Sequence, residues 1–98
     1  MIEHRFVEAA GARFHVATSG EGPPLVLLHG WPEFSLTWRP VMERLAGRFE
    51  LIAPDLRGFG QSDKPDRDWG ADDHAADVLG IMDAMGVEIA GIVGHDVG

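Results

Sequence analysis

Near the end of the sequence a short apolar run, Ile89 to Val93, leads directly into Gly94-His95-Asp96-Val97-Gly98. A Gly-x-Asp-x-Gly pattern after a buried strand predicts a sharp strand-to-helix turn, a nucleophile elbow. Its middle residue is held in strained backbone geometry and presents its side chain at the C-terminal edge of the sheet. Flanking glycines suit such a turn because a Cβ on either side would clash. Asp96 placed there would be ionised at neutral pH without assistance, since a reference aspartate titrates near pH ~3.9. Such a carboxylate can displace a leaving group from saturated carbon, giving an enzyme ester that water then cleaves to an alcohol. Read structurally instead, Asp96 would only cap the following helix or accept a main-chain hydrogen bond. The five residues by themselves leave both readings open.

The rest of the chain must bring partners to that turn. Ile2 to Glu8 and Arg13 to Thr18 alternate loosely around Gly11, which predicts an antiparallel hairpin. After the breakers Gly20-Glu21-Gly22-Pro23-Pro24, the run Leu25 to Leu28 is apolar at every position, as in a central strand covered on both faces. It ends in His29-Gly30-Trp31-Pro32-Glu33. Trp38, Val41, Met42 and Leu45 then fall on one stripe, predicting a helix from Thr37 to Ala46, with Pro40 tolerated in the first turn and Gly47 closing it. Leu51 to Ala53 reads as a short strand and ends in the glycine-rich Pro54-Asp55-Leu56-Arg57-Gly58-Phe59-Gly60-Gln61-Ser62. The polar stretch Asp63 to Gly70 reads as exposed. A helix over Asp72 to Met85 follows, with Ala75, Val78, Leu79, Met82 and Met85 on its apolar face and Gly86 at its end. Strands alternating with helices predict an α/β fold: a mostly parallel sheet with an antiparallel N-terminal hairpin and helices on both faces. Sites in such sheets lie at the C-terminal strand ends, where both breaker-rich loops depart.

At 98 residues the chain has the length of one small domain. A net charge of -8 argues against nucleic acid or an anionic membrane as partner, since both require a basic patch. With no cysteine, disulfides and thiolate metal sites are excluded. No ligand spacing suggests a metal, and no cofactor is expected. The opening MIEHRFVEAA resembles no secretory leader, so the cytoplasm is the expected compartment. The acidic excess between Asp63 and Asp83 reads as a solvated loop and helix face. Oligomeric state is left open.

Five histidines invite over-reading. Neighbours in a sharp turn point different ways, so His95 is expected to be structural and buried. His29 is expected to fix its loop through hydrogen bonds, and His4, His15 and His74 have no constellation around them. Asp55, Arg57 and Ser62 are expected to hold the glycine-rich loop in shape, without forming a Ser-His-Asp triad. Trp31 and Phe34 are candidates to line a substrate pocket, whereas Trp38 on the helix stripe is expected in the core.

Taken in order, His29-Gly30-Trp31-Pro32, Asp55-Leu56-Arg57-Gly58-Phe59-Gly60-Gln61-Ser62 and Gly94-His95-Asp96-Val97-Gly98 resemble the N-terminal part of an α/β-hydrolase. With aspartate in the turn, the chain is most similar to the branch of epoxide hydrolases and haloalkane or haloacetate dehalogenases. The resemblance implies that Asp96 is the nucleophile and that the backbone N–H groups of Trp31 and Val97 form an oxyanion hole. It also implies that the Leu25 strand lies between the Leu51 and Ile89 strands. Val97 stands where many relatives carry tryptophan or arginine, and Trp31 stands where many haloalkane dehalogenases carry asparagine. His-Gly-Trp-Pro-Glu is more like an epoxide hydrolase loop. The implied substrate is a small-molecule epoxide, hydrolysed to a diol, with an organohalide as the alternative. The implied general-base histidine, its acidic partner and the lid domain with its tyrosines lie beyond residue 98. Residues 1–98 would then be about a third of a larger enzyme and inactive by themselves. A non-catalytic binding protein, or a fragment complementing another chain, is the reading from a different class.

Overall fold

β1 (Glu3–Ala9) and β2 (Ala12–Ser19) pair antiparallel in the computed structural model, which describes residues 2–64 and 69–98. The two residues between them, Ala10 and Gly11, both have positive φ, 49° and 76°. That is the type I′ requirement for a two-residue hairpin, which glycine meets freely and alanine does not. Ala10→Asn, which suits the left-handed conformation better, should therefore raise stability by about 0.5–1 kcal/mol. A urea midpoint that does not move upward would count against this.

The chain continues through β3 (Pro24–Leu28), a 3₁₀ turn (Ser35–Trp38), α1 (Arg39–Leu45), β4 (Glu50–Pro54), α2 (Ala71–Ala84) and β5 (Gly91–Gly94). The five strands form one sheet in the order β1-β2-β4-β3-β5. β3 lies between β4 and β5 and pairs parallel with both, while β2 is antiparallel to both its neighbours. Only β2 therefore runs against the other strands.

Alternation along the strands builds two cores. Phe14 and Val16 of β2, Val26 of β3 and Ile52 of β4 point to one side and pack with Val78 and Ile81 of α2. Ala17, Leu27, Leu51 and Ala53 point to the other and pack with Met42 of α1. Because successive strand residues face opposite sides, α1 and α2 cover opposite faces of the sheet.

The helices differ in detail from their sequence patterns. α1 begins at Arg39, with Pro40 in its first turn and the 3₁₀ turn leading into it. A proline ring would clash with the carbonyl four residues upstream, so the α-helix cannot extend back through Leu36. Trp38 is half-buried against the α1-side core. In α2 the buried residues are Asp77, Val78 and Ile81, while Leu79 is 63% exposed. The face is thus rotated from the expected stripe, and the acidic segment is not wholly solvated. Arg57 reaches Asp77 through two charge-assisted bonds of 2.7 Å and draws it into the interior. Gly86 (φ 72°) closes α2 as expected, its N–H bonding Asp83 O and that of Val87 bonding Met82 O. Part of the expected exposed stretch from Asp63 to Gly70, residues 65–68, lies outside the described residues.

β5 starts two residues later than the apolar run, with Gly91 opposite Leu25, and all its residues are exposed. The apolar pattern alone reads as a buried strand, whereas the implied helix after the elbow, which lies beyond residue 98, leads one to expect a bare edge, and the exposure agrees with the latter. β5 takes the edge of the sheet, and the neighbour it pairs with among the described residues is β3.

Candidate active site

At the C-terminal end of β5 the backbone folds back within five residues. Asp96 sits at φ 59°, in the left-handed region where an L-residue other than glycine is strained. Both flanking glycines are required by space. A Cβ on Gly94 would lie 2.5 Å from the Gly98 carbonyl carbon, and one on Gly98 would run into the Leu28 carbonyl oxygen. Gly98 N–H closes the turn on His95 O at 3.0 Å.

The loop after β3 meets this turn. Glu33 N–H bonds Gly30 O at 2.9 Å, and Gly30 N–H in turn bonds the Glu33 side chain at 3.1 Å, closing residues 30–33 into a turn. The closure leaves the Trp31 amide free to point at the elbow, where it donates to Asp96 Oδ2 at 3.0 Å. The amides of Trp31 and Val97 hold the Asp96 carboxyl below the usual carboxylate range. Partial desolvation pushes the other way, and nearby His95 adds to the lowering.

The structure therefore brings together Asp96, Trp31 and Val97, three of the residues singled out from sequence. Trp31 is 69% exposed and Phe34 also projects to solvent. Phe34 stands just ahead of the 3₁₀ turn, and no ring contact joins it to Trp31 among the described residues. His95 is not buried. Its side chain is 69% exposed, with Nδ1 3.7 Å from Glu33 Oε1, because the turn directs it outward over the Gly30–Glu33 loop.

Gly30 is a requirement the sequence reading did not isolate. A Cβ there would lie 2.7 Å from Asp96 Cβ and 3.0 Å from His95 Nδ1, so only glycine lets the two loops touch. Gly30→Ala should separate the Trp31 amide from the carboxylate. A 1 Å misplacement can cost about 100-fold in turnover. Steady-state kinetics alongside an unchanged fold by circular dichroism would check this; turnover within twofold of the parent would contradict it.

Two buried networks hold the loops. His29 accepts the Leu56 N–H on Nε2 at 3.0 Å, so its proton sits on Nδ1 and is donated to Gly30 O at 2.9 Å. A neutral His29 thus ties the loop after β3 to the loop after β4, as expected. Asp55 accepts the amides of Ser35 at 2.7 Å and Gln61 at 2.9 Å and pairs with His15 Nδ1 at 2.8 Å. Burial pushes its carboxyl up, but the Gln61 and Ser35 amides and His15 outweigh this and leave it lowered. Ser62 Oγ donates to Asp55 O at 2.6 Å and accepts the His15 N–H at 3.0 Å. Serine, histidine and aspartate are thus gathered in one buried place, yet the hydroxyl is spent on main-chain groups and no triad forms. His4 Nδ1 lies 2.9 Å from His15 Nε2, so His4 and His15, expected to stand alone, belong to one constellation with Asp55. Pairs 11 and 40 residues apart leave no local signal in the sequence.

Among the described residues no group of three His, Cys, Asp or Glu side chains could hold a metal ion. No helix among them is long and apolar enough to cross a membrane.

A family model described as the alpha/beta hydrolase fold matches residues 23–98. The chain is 44% identical over 97 residues to the soluble epoxide hydrolase of Corynebacterium sp. (strain C12), covering 99% of this chain and 34% of that protein. It is 39% identical over 100 residues to epoxide hydrolase 2 of Siraitia grosvenorii, covering 99% and 32%. Its backbone matches the crystal structure of an epoxide hydrolase from Vigna radiata with a TM-score of 0.91 at 38% identity, covering 97% of this chain and 32% of that one. It matches the ligand-free epoxide hydrolase CorEH at 0.96 and 44% identity, covering 100% and 35%. The chain spans about a third of the length of these curated relatives.

Proposed function

Since this chain belongs to the alpha/beta hydrolase family, we propose that it forms the N-terminal third of an epoxide hydrolase whose nucleophile is Asp96. The observation that carries the reading is the 3.0 Å bond from the Trp31 amide to Asp96 Oδ2 on a strained, glycine-flanked turn. With Oδ2 held, Oδ1 is the oxygen left to attack an epoxide carbon. The C–O bond of the ring breaks, and the ring oxygen leaves as an alkoxide that takes a proton from an acid outside residues 1–98. Oδ2 becomes the carbonyl oxygen of the resulting ester. Water, deprotonated by a base also outside these residues, then attacks the carbonyl carbon. Negative charge grows on Oδ2, which already accepts the Trp31 amide, with the Val97 amide also on this carboxyl, and such a donor is worth about 3 kcal/mol of transition-state stabilisation. Collapse releases the diol and restores the carboxylate. The base is assigned elsewhere on the strength of the family resemblance, with His29, His15 and His4 committed to structural bonds and His95 turned toward Glu33.

Epoxide is favoured over organohalide by the epoxide hydrolases among the relatives. The exposed Trp31 indole is the feature that would serve a departing halide. The cytoplasm is the proposed compartment, on the strength of the relative named a soluble epoxide hydrolase.

One turnover of the full polypeptide in ¹⁸O-water tests the route. Water attacking the ester carbonyl leaves ¹⁸O in the Asp96 peptide, and the first diol carries an unlabelled oxygen from the enzyme. Label in the diol with none in Asp96 would replace the covalent route with direct attack by water. Halide release without diol formation would instead favour the dehalogenase alternative.

A further inference from the structure

The His4, His15 and Asp55 side chains lie outside the proposed reaction, on the α1 side of the sheet. The His4 and His15 rings are 5.1 Å apart between centres and inclined by only 15°, with His4 Nδ1 2.9 Å from His15 Nε2. Each imidazole nitrogen lies about 1.1 Å from its ring centre, so an in-plane N–H···N bond puts the centres about 5 Å apart. The rings are therefore bonded edge to edge rather than stacked face on face.

While both rings are neutral, hydrogen-bond chemistry fixes their tautomers. The Asp55 carboxylate accepts from His15 Nδ1, so His15 Nε2 is bare and must accept, and His4 Nδ1 must donate. A first added proton goes to His4 Nε2 without loss of a bond. A second has only His15 Nε2 left, where it meets the His4 Nδ1–H head on, with two imidazolium charges side by side.

We propose that His4, His15 and Asp55 form a proton-counting latch that fastens the edge strand β1 to the sheet and releases it when both rings are charged. β1 pairs with β2 along its length and most of its residues are exposed, so the side-chain link adds to the ladder that holds its first half. Other charged groups face the latch from each side. Arg39 and Glu43 of α1, themselves 3.6 Å apart, line the cavity at His4. Arg13 lies 4.0 Å over the Phe6 ring, which is tilted against His15. The Gln61 and Ser35 amides bind Asp55. Asp55, held below the usual carboxylate range, stays charged while imidazoles titrate, so the step belongs to the rings. The link is complete with both rings neutral and with one proton added. It is lost when the second proton is delivered.

Two measurements on the full polypeptide test this, neither depending on hydrolase activity. Long-range ¹H–¹⁵N spectra near neutral pH should show His15 protonated on Nδ1 and bare on Nε2. Hydrogen exchange of residues 2–9, corrected for intrinsic rates, should lose about five- to tenfold in protection as pH is lowered from about 7.5 to where the same spectra show both rings doubly protonated, the loss expected for one hydrogen bond. His4→Phe, which keeps a ring but no nitrogen, should abolish that step. A proton on His15 Nε2 at neutral pH, a wild-type protein without the step, or the same step in His4→Phe would each overturn the latch. The tautomer measurement stands on the wild-type protein even if the variant folds poorly.

Discussion

Asp96→Asn should leave the protein folded and lower epoxide turnover by about 10⁴-fold or more, the scale seen when an enzyme loses its nucleophile. Asparagine tolerates positive φ and offers an oxygen to the Trp31 and Val97 amides, so the turn keeps its shape. What disappears is the negative oxygen that, in the proposed route, bonds to carbon. Single-turnover kinetics checks this, together with a mass shift on the Asp96 peptide in the parent that is absent in the variant. Turnover within tenfold of the parent would mean that another group attacks. The pH dependence has a definite sign. Because the Asp96 carboxyl is held below its usual value, its nucleophilic form persists to lower pH, and it is lost only as pH falls through that lowered value. The acid limb that Asp96 imposes on kcat/KM should lie below the ordinary aspartate titration near pH ~3.9.

Asp77→Ala should cost about 3–5 kcal/mol of stability, because it strands a buried guanidinium. Arg57 is 6% exposed and Asp77 2%, and the two join through paired 2.7 Å bonds. Arg57 also bonds Ala10 O at 3.3 Å, so the pair fastens the glycine-rich loop to both α2 and the first hairpin. A loss of that size is a large share of the 5–15 kcal/mol typical of a domain. Chemical denaturation of parent and variant measures it. Arg57→Met combined with Asp77→Leu should recover much of the loss, since the penalty comes from an unpaired charge rather than from the absence of an ion pair. A double variant as unstable as Asp77→Ala would show that shape, not charge, governs the site.

These two sites mark what could and could not be read from the amino acids. β3 and β4 were legible because a short unbroken apolar run between breakers suits a buried strand, and the elbow because two glycines bracket His95-Asp96-Val97 directly after an apolar run. Contacts that set the rest are distant in sequence. Asp77 looked solvated because its partner lies 20 residues earlier, and a charge that finds a buried partner no longer obeys the polar-outward rule that placed Leu79 on the inner face. The link from His4 through His15 to Asp55 crosses three strands, which no local pattern reports. His95 was misjudged because a tight turn fixes where the chain goes but not what stands over each side chain. Gly30 resembled any loop glycine until the elbow, 66 residues later, occupied the space its Cβ would need.

The pairing of Leu28 with Gly94 carries a consequence for how the proposed site can fail. The donor at Trp31 and the acceptor at Asp96 hang from the tips of adjacent strands, so the alignment of those strands sets the gap between them. A slip of a single residue would displace one tip by about 3.3 Å and turn its side chains to the opposite face. Sequence changes in the intervening loop and helices can accumulate without touching that alignment, whereas an inserted residue in either short strand would leave a folded sheet in which the Trp31 amide no longer meets the Asp96 carboxylate.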